Sequence, residues 1–419
     1  MVHEFIDYMG AALGMVLIFV SATLYLSGFA VSGIAYNTQQ NMAAQAQSLL
    51  DYILTSTGSP ANWGNQRAYP AAFGLQQANA PPYTLDPLKL MRLLATQPCT
   101  LPTGLSTQCI FTGIPGFYFF FPTPYYLPYT YTRSLIVPNS NFEFQFRLEP
   151  ALNISILEPT VEQSGSGYDY TFPVRVYTSS GTPVGAATIN ATFVAAQCEK
   201  GGGSCTVTLF LASTSATTNT AGQAQLVFQA PTQYPSYSVV ASVSVAGIQG
   251  LGFYSNPAKN TLVYVAVTPQ TQNITVVRSC ITTPCSVVYP NITTYLVSGH
   301  GLTTYYVCPT PKHLTTGKGF ESVSCTGLPG QGVVAIGLAN SNCNGQSSSP
   351  NCVEEALVAP VDLFDAFSLS IVYGGPSGQG PGDSSVSTTV SRVVQVGGFT
   401  YIATLTYWPD YGPVYGAGS

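Results

Sequence analysis

The stretch MVHEFIDYMGAALGMVLIFVSATLYLSGFAVSGIAYNTQQNMAAQAQSLLDYIL, residues 1–54, predicts the helix around which the rest of the chain is organised. It contains no charged side chain between Tyr8 and Leu50, and residues 9–35 are almost wholly apolar or small. About 20 apolar residues suffice to cross a bilayer, so this run is long enough to span one. Because the run far exceeds the apolar core of a cleaved signal peptide, and no Lys or Arg precedes it, we expect a retained signal-anchor.

The second half of the predicted helix is polar and carries a narrow apolar seam. The seam residues recur with the spacing of one helical face, and they are Met42, Ala46, Leu49 and Ile53. Gly58 and Pro60 then end the helix, since a glycine followed by a proline is a common C-terminal signal. We therefore assign residues 1–57 to one long helix.

Small residues in the first half of this helix favour close packing between helices. They are spaced four apart, as Gly10 with Gly14 and Gly28 with Ser32. Such spacings let two helices approach closely in an apolar medium, although small residues are also common in membrane helices generally. Together with the polar, seamed second half, they favour a helix that packs against copies of itself.

The composition is typical of a secreted protein rather than a cytosolic one. Only 7% of the 419 residues are charged, against about 25% in ordinary soluble proteins. With 46% hydrophobic and 12% aromatic residues, the chain has enough apolar surface for sizeable cores, and its length suggests about two to four domains. The formal charge of −5 leaves no basic footprint, so nucleic acid is not an expected partner.

Cysteines and glycosylation signals indicate that the body of the chain lies outside the cell. The ten cysteines occur as neighbours in sequence: Cys99 and Cys109, Cys198 and Cys205, Cys280 and Cys285, Cys308 and Cys325, and Cys343 and Cys352. No C-x-x-C occurs and the three histidines are far apart, so disulfides are favoured over a zinc site. The simplest connectivity joins each cysteine to its neighbour, and other pairings stay open. Disulfides imply an oxidising exterior, in agreement with four N-x-S/T sequons at Asn153, Asn190, Asn273 and Asn291.

Most of the chain after the helix has the pattern of short β-strands, so the predicted fold class is mainly β. From about residue 154 to residue 268, β-rich runs alternate with Gly, Pro and Asn turns at about 8–12-residue spacing, which favours a sandwich. Asp86 followed by Pro87 predicts the start of a short helix. The aromatic run GFYFFFPTPYYLPYTYTR (residues 116–133) contains prolines, so we expect loops and edge segments there rather than a central strand.

Three segments of the sandwich region resemble the immunoglobulin-like repeats of bacterial and archaeal adhesins and surface proteins. They are VRVYTSSGTPVGAAT beginning at Val174, TAGQAQLVF at residues 220–228 and YSVVASV at residues 237–243. In that family a strand, a Gly-x-Pro-Val turn, a Gly-Gln-Ala strand and a Tyr-x-Val-x-Ala strand recur. The resemblance implies an immunoglobulin-like β-sandwich over residues 154–268, acting as a spacer or a binding module.

A second resemblance involves the helix and both ends of the remaining chain. Three segments are similar to archaeal type IV pilin-like surface proteins. They are LLDYILTSTGSPANWG (residues 49–64), YTLDPLKLMRLL (residues 83–94) and SRVVQVGGFTYIATLTYW (residues 391–408). The resemblance implies a head split into residues 58–153 and 353–419, with the sandwich and a Cys-rich β-insertion (residues 269–352) between them. It also implies an assembly role for Glu4, although the basic leader of those pilins is missing here.

The sequence contains no catalytic or metal-binding signature. Neither G-x-S-x-G, H-E-x-x-H nor a Walker A motif occurs, so no cofactor is expected and an ectoenzyme is disfavoured. We predict a structural subunit of an archaeal extracellular filament, a homopolymer formed through the N-terminal helix, which is inserted in the membrane before assembly. The alternative is a membrane-anchored monomeric adhesin that binds a glycan or a partner cell.

Overall fold

The structure is a computed structural model that describes residues 40–94, 97–100, 106–111, 117–121, 126–137, 142–201, 204–256, 263–268, 273–278, 288–298, 301–308, 321–326, 332–340, 354–360, 370–375 and 387–409. Within these ranges, no helix is both long enough and apolar enough to cross a membrane. The part of the predicted helix before residue 40 lies outside the described residues.

The described chain is mainly β, which confirms this part of the predicted fold class. Its helical elements are α1 (residues 40–55), a 3-10 turn (Trp63–Asn65), α2 (Pro87–Met91) and α3 (Tyr129–Ile136). Its strands are β1 (Thr84–Leu85), β2 (Gln97–Thr100), β3 (Ser106–Phe111), β4 (Phe117–Phe121), β5 (Phe142–Pro150), β6 (Leu152–Ile156), β7 (Thr160–Ser164), β8 (Gly167–Thr178), β9 (Thr188–Gly201), β10 (Ser204–Thr217), β11 (Gln223–Ala230), β12 (Tyr237–Val245), β13 (Ile248–Asn256), β14 (Val263–Thr268), β15 (Asn273–Arg278), β16 (Val288–Ser298), β17 (Gly301–Val307), β18 (Glu321–Thr326), β19 (Val333–Asn340), β20 (Glu354–Pro360), β21 (Ile371–Gly374), β22 (Thr388–Val396) and β23 (Phe399–Pro409).

A five-stranded sheet joins distant parts of the chain into one unit, here called the head. Its strand order is β1-β22-β23-β5-β21, with β1 parallel to β22 and the other pairs antiparallel. Strand β5 alternates between the two faces, since Phe144, Phe146 and Leu148 are buried whereas Arg147 is exposed. Helix α1 contributes to the same buried cluster as these apolar residues. Segments that the sequence placed in the two halves of a split head therefore form one sheet.

The middle of the chain folds into a β-sandwich, as the strand spacing predicts. One sheet has the order β10-β9-β12-β13, and the other has the order β11-β8-β6 with β7 also paired to β8. Aromatic rings fill the space between the sheets, with the Phe193 ring 4.9 Å from that of Tyr170 and 5.3 Å from that of Tyr237. These rings are almost completely buried, so the sandwich has its own hydrophobic core.

A further four-stranded sheet, β17-β16-β19-β20, packs against the outer side of the sandwich. Val194 and Val240 of the sandwich form a buried cluster with Val333, Ala335 and Val358 of this sheet. Residues 191–196 of β9 and 237–241 of β12 are consequently buried on both faces of their sheet.

A six-stranded sheet with the order β18-β15-β14-β4-β3-β2 completes the described architecture. The disulfide between Cys308 and Cys325 links the end of β17 to β18, and its Cα atoms are 5.8 Å apart. It therefore connects the four-stranded and six-stranded sheets. This pair is one of the five neighbouring pairs expected from the sequence.

Strand pairing places three groups of strands outside the domains predicted for them. Strands β2 to β4 were expected in the head and β14 in the sandwich, but β4 pairs with β14 in the six-stranded sheet. Strand β20 was expected in the second half of the head, but it pairs with β19. The pairing of β4 with β14 joins segments far apart in sequence, and local patterns of hydrophobicity do not specify such partners.

The expectation of only loops and edge segments in the aromatic run is wrong. Residues 117–121 form β4, which lies between β14 and β3 inside the six-stranded sheet. The prolines at positions 115 and 122 flank this strand instead of interrupting it, so every ladder position keeps its N–H group. The end of the same run forms α3, with Pro128 in the N-cap position.

Candidate functional site: helix α1 and its junction with the head

Helix α1 buries its apolar seam in the head. Met42, Ala46, Leu50 and Ile53 are each at most 4% exposed and belong to the cluster that contains Phe144 and Phe146. Leu50 occupies the seam position predicted for Leu49, which is only half-buried. The seam thus binds the sheet of its own chain, and the opposite face of α1 is left for other contacts.

The C-terminal end of α1 is completed by hydrogen bonds from the segment that follows it. The last carbonyl groups of a helix have no partner within the helix itself. Here Leu75 N donates to Ile53 O over 2.8 Å, and Gln76 N donates to Ser56 O over 2.9 Å. The helix end is therefore fixed to the head by backbone hydrogen bonds as well as by apolar packing.

A buried lysine from α2 contributes to the same junction. Lys89 is fully buried, and its Nζ donates to Thr57 O over 2.9 Å and to Gln76 O over 2.6 Å. Asp86, the N-cap of α2, accepts from Leu88 N over 2.9 Å and lies 3.8 Å from the same Nζ. Burial lowers the pKa of Lys89 and raises the pKa of Asp86, and the attraction between the two groups opposes both shifts. A cation thus completes the helix end, where carbonyl dipoles favour positive charge.

A buried arginine holds the loop beside the lysine. Arg92 is fully buried, and its Nη1 donates to Trp63 O over 2.8 Å, Gln66 O over 3.0 Å and Ala68 O over 2.9 Å. Its guanidinium carbon lies 5.3 Å from the centre of the Trp63 ring, within the range of a cation–π contact. The Trp63 indole in turn donates to Gly74 O over 2.9 Å. Arg92 therefore organises the loop that connects α1 to the head sheet.

Close backbone contacts at the junction require glycine. Gly58 has a φ of +70°, and a Cβ there would lie 2.6 Å from Ala72 O. At Gly74, an added Cβ would lie 2.3 Å from Ser56 O. Both positions exclude larger side chains, so the motif around the helix end is set by the packing of backbone on backbone.

One ion pair joins α1 to the far end of the sequence. Arg392 on β22 donates to both carboxylate oxygens of Asp51, over 2.9 Å and 3.1 Å. Both side chains are about one-third exposed, so this pair contributes at most about 1 kcal/mol despite its two-pronged geometry. Its consequence is that the charge of Asp51 is neutralised within the chain.

Helix α3 packs at the edge of the head sheet through tyrosines. Tyr129 donates a hydrogen bond to Glu143 and accepts one from Phe144 N over 3.1 Å. Tyr373 on β21 is bonded to Thr132 of α3 and donates to Leu127 O over 3.1 Å. Burial raises the pKa of both phenols above their usual value near 10, and Glu143 adds to the shift at Tyr129.

Alkaline pH is expected to destabilise the head through these two tyrosines. Because their pKa values are higher in the folded than in the unfolded state, the stabilisation is complete below pH about 10 and is lost as the pH rises further. Each phenol costs up to about 1.4 kcal/mol per pH unit in that range. Thermal unfolding as a function of pH, followed with tyrosinate absorbance, should show ionisation together with unfolding. Tyr373→Phe should weaken the pH dependence, and a slope equal to that of the unmodified chain would contradict this assignment.

The remaining sequence-predicted residues are placed as follows. Glu4, Gly10, Gly14, Gly28 and Ser32 lie outside the described residues, as do Cys280, Cys285, Cys343 and Cys352. Cys99 and Cys109 lie on the paired strands β2 and β3, and Cys198 and Cys205 lie on the paired strands β9 and β10. Bonds within these pairs stay predictions. Among the sequons, Asn153 is exposed, and Asn190 and Asn291 are half-buried.

The part of the chain that the structure describes contains no group of three or more His, Cys, Asp or Glu residues suited to a metal ion. The buried charged groups of the head are instead bonded to main-chain carbonyls. Their arrangement supports a structural role for the junction.

Sequence reasoning missed Lys89 and Arg92. The Asp86-Pro87 signal predicts a short helix but assigns no role to either of these cations. A usable signal was present, since the chain has only 12 Lys and Arg and two of them occur in the apolar segment LKLMRLL. In so apolar a context, a cation is often buried with its polar end bonded to carbonyl groups.

Comparisons with known proteins do not add an identity. No family model and no curated protein match the chain. Red sea bream transglutaminase is 14% identical, with 51% of this chain and 31% of that chain covered and a TM-score of 0.16. Two structures of Escherichia coli alpha-2-macroglobulin are each 11% identical to this chain, with TM-scores of 0.20. The alignment with the trypsin-activated form covers 58% of this chain and 18% of that protein chain. The alignment with the elastase-activated form covers 59% of this chain and 23% of that protein chain. The chain thus spans less than a third of these proteins, and such low similarity carries no argument.

Proposed function

We propose that the chain is a pilin-like subunit of an extracellular filament, with its N-terminal helix in the filament core and its β-sheets outside. The observation that carries the proposal is the position of α1. Its apolar seam is buried in the head, and the uncharged run of residues 9–35 precedes it directly. A run of this kind requires lipid or other apolar helices around it, because its exposure to water is unfavourable.

The free face of α1 suits contact with other copies of the chain. The exposed residues of α1 are uncharged, and they are Gln40, Asn41, Ala44, Gln45, Gln47, Ser48, Tyr52 and Thr55. Asp51 is the charged residue of α1, and Arg392 neutralises it. Neighbouring copies could therefore pack side by side on this face without repulsion between like charges.

The junction supports the same proposal mechanically. A filament subunit has to transmit force between its core helix and its head. Backbone hydrogen bonds, two buried cations and glycine-dependent packing fix the end of α1 to the head. The rival function, a monomeric membrane-anchored adhesin, would need the anchor but not the packing between copies.

Electron microscopy of shed cell-surface material tests the proposal. We expect filaments that are labelled by antibodies against this chain and lost in the variant Gly14→Leu. That substitution keeps the helix apolar, so membrane insertion should persist while close helix packing is blocked. Val16→Leu is the matched control and should still form filaments. The proposal is contradicted, and the adhesin is favoured, if cells with the unmodified chain form no filaments and detergent releases the chain from their membranes as single copies.

A further inference from the structure

The sequon at Asn153 lies on a solvent-exposed face of the sandwich. It occupies β6, where Leu152, Ile154 and Ile156 are buried and Asn153 and Ser155 are exposed. The buried side is fixed by close contact, since a Cβ added at Gly252 would lie 2.5 Å from the Ile154 side chain. Strand alternation therefore directs the Asn153 amide and the Ser155 hydroxyl away from the core.

Polar side chains surround this position on the same sheet. Ser155 pairs in register with Arg175 of β8, which pairs with Gln223 of β11, and all three are exposed. Arg175 and Gln223, with Gln225, line an open groove of about 430 Å³. Arg175 is the diagonal neighbour of Asn153 across the β6–β8 pair, at a separation of about 7–8 Å, so the groove lies within reach of a saccharide on Asn153. Guanidinium and amide groups at its rim suit the hydroxyl groups of a saccharide.

The sequon at Asn291 has a different environment. The Nδ2 atom of Asn291 donates to Val207 O of the sandwich over 2.9 Å, and its Oδ1 accepts from Thr293 Oγ1 over 2.9 Å. Thr293 is only 5% exposed. The nitrogen that would carry a sugar therefore lies between two packed sheets, where it joins the four-stranded sheet to the sandwich.

The sequon at Asn190 is also unfavourable for a saccharide. Asn190 is half-buried on β9, between Ser215 of β10 and Ser242 of β12. The next two residues on its side of the strand, Thr192 and Val194, are 2% and 0% exposed. A sugar at Asn190 would meet the neighbouring strands on both sides. The Asn273 side chain lies outside what the structure describes.

We propose that Asn153 carries an N-linked saccharide, whereas Asn190 and Asn291 stay unmodified. In the transfer step, Asn153 Nδ2 attacks the anomeric carbon of a saccharide that is activated as a lipid-linked phosphate. The new C–N bond replaces the C–O bond to phosphate, the lipid phosphate leaves with the electron pair of that bond, and Nδ2 releases one proton. The proposal rests on the extracellular position of the sheets in the proposed function.

Glycopeptide mass spectrometry of the full chain, purified from its native cells, tests this assignment. We expect the Asn153 peptide to carry a saccharide mass that both Asn153→Gln and Ser155→Ala abolish without a shift in the thermal midpoint. Asn291→Gln should leave the mass unchanged and lower the thermal midpoint, because the bond to Val207 O is lost. An unmodified Asn153, or a saccharide on Asn190 or Asn291, would overturn the assignment. Microscopy of the same material separates the two proposals, since filaments without a saccharide at Asn153 would refute only this one.

Discussion

Ala46→Asp is expected to unfold the head, with a loss of at least about 3 kcal/mol in the free energy of unfolding. Ala46 is fully buried between α1 and the head sheet. A carboxylate there would be removed from water without a cationic partner, and its larger volume would also separate the helix from the sheet. Tryptophan fluorescence during denaturant unfolding measures the effect, because both tryptophans of the chain, Trp63 and Trp408, lie in the head.

Ala44→Asp is the matched control for this prediction. Ala44 is exposed on the same helix, only two positions away, so the substitution changes helix propensity and charge but not the core. Its expected cost is below about 1 kcal/mol. Equal destabilisation by the two variants would show that α1 does not pack on the head in the way described.

The same helix shows how far local pattern determines structure. The spacing of apolar residues predicted a seam and placed it correctly at Met42, Ala46 and Ile53. It did not distinguish Leu49 from Leu50, because two adjacent leucines fit the periodicity about equally well. The choice depends on the sheet, whose strands come from residues 84–85, 142–150, 371–374, 388–396 and 399–409.

The β-sheets show a similar limit. Turn residues and alternation sufficed to predict the sandwich, because the pairs β7–β8, β9–β10 and β12–β13 are hairpins of adjacent strands. The stacking of the four-stranded sheet on the sandwich was not predicted, because β9 and β12 mix apolar residues with Asn, Thr and Ser and carry no pattern that shows a second covered face. The element that covers this face, the sheet of β16 to β20, is identified only by the folded structure.

The junction is the part of the candidate site that sequence reasoning missed most completely. Its GSPANWG segment was recognised, but its role depends on Lys89 and Arg92, which approach it only in the folded head. The carbonyl groups of Trp63, Gln66 and Ala68 carry no sequence signal of their own. Their convergence on one arginine nitrogen is a property of the loop conformation, which only the structure describes.

Arg92→Met is therefore expected to destabilise the head by about 3 kcal/mol or more. Methionine fills much of the space of the arginine stem but donates no hydrogen bond, so the buried carbonyl of Trp63 and the partly buried carbonyls of Gln66 and Ala68 lose a donor. Each unsatisfied buried group costs about 1–3 kcal/mol. Denaturant unfolding followed by tryptophan fluorescence again measures the change.

Two further variants separate the hydrogen bonds of Arg92 from its charge and its volume. Arg147→Met removes an arginine whose side chain is 49% exposed on β5, and it should cost less than about 1 kcal/mol. Arg92→Lys keeps a cationic donor and should recover part of the loss, but only part, because an ammonium group lacks the planar shape that lies against Trp63.

If Arg92→Met and Arg147→Met unfold at the same denaturant concentration, the carbonyl groups of the loop do not depend on Arg92. A head that tolerates Arg92→Met but not Gly74→Val would instead be held at this junction by backbone packing alone, since a side chain at Gly74 meets Ser56 O at 2.3 Å.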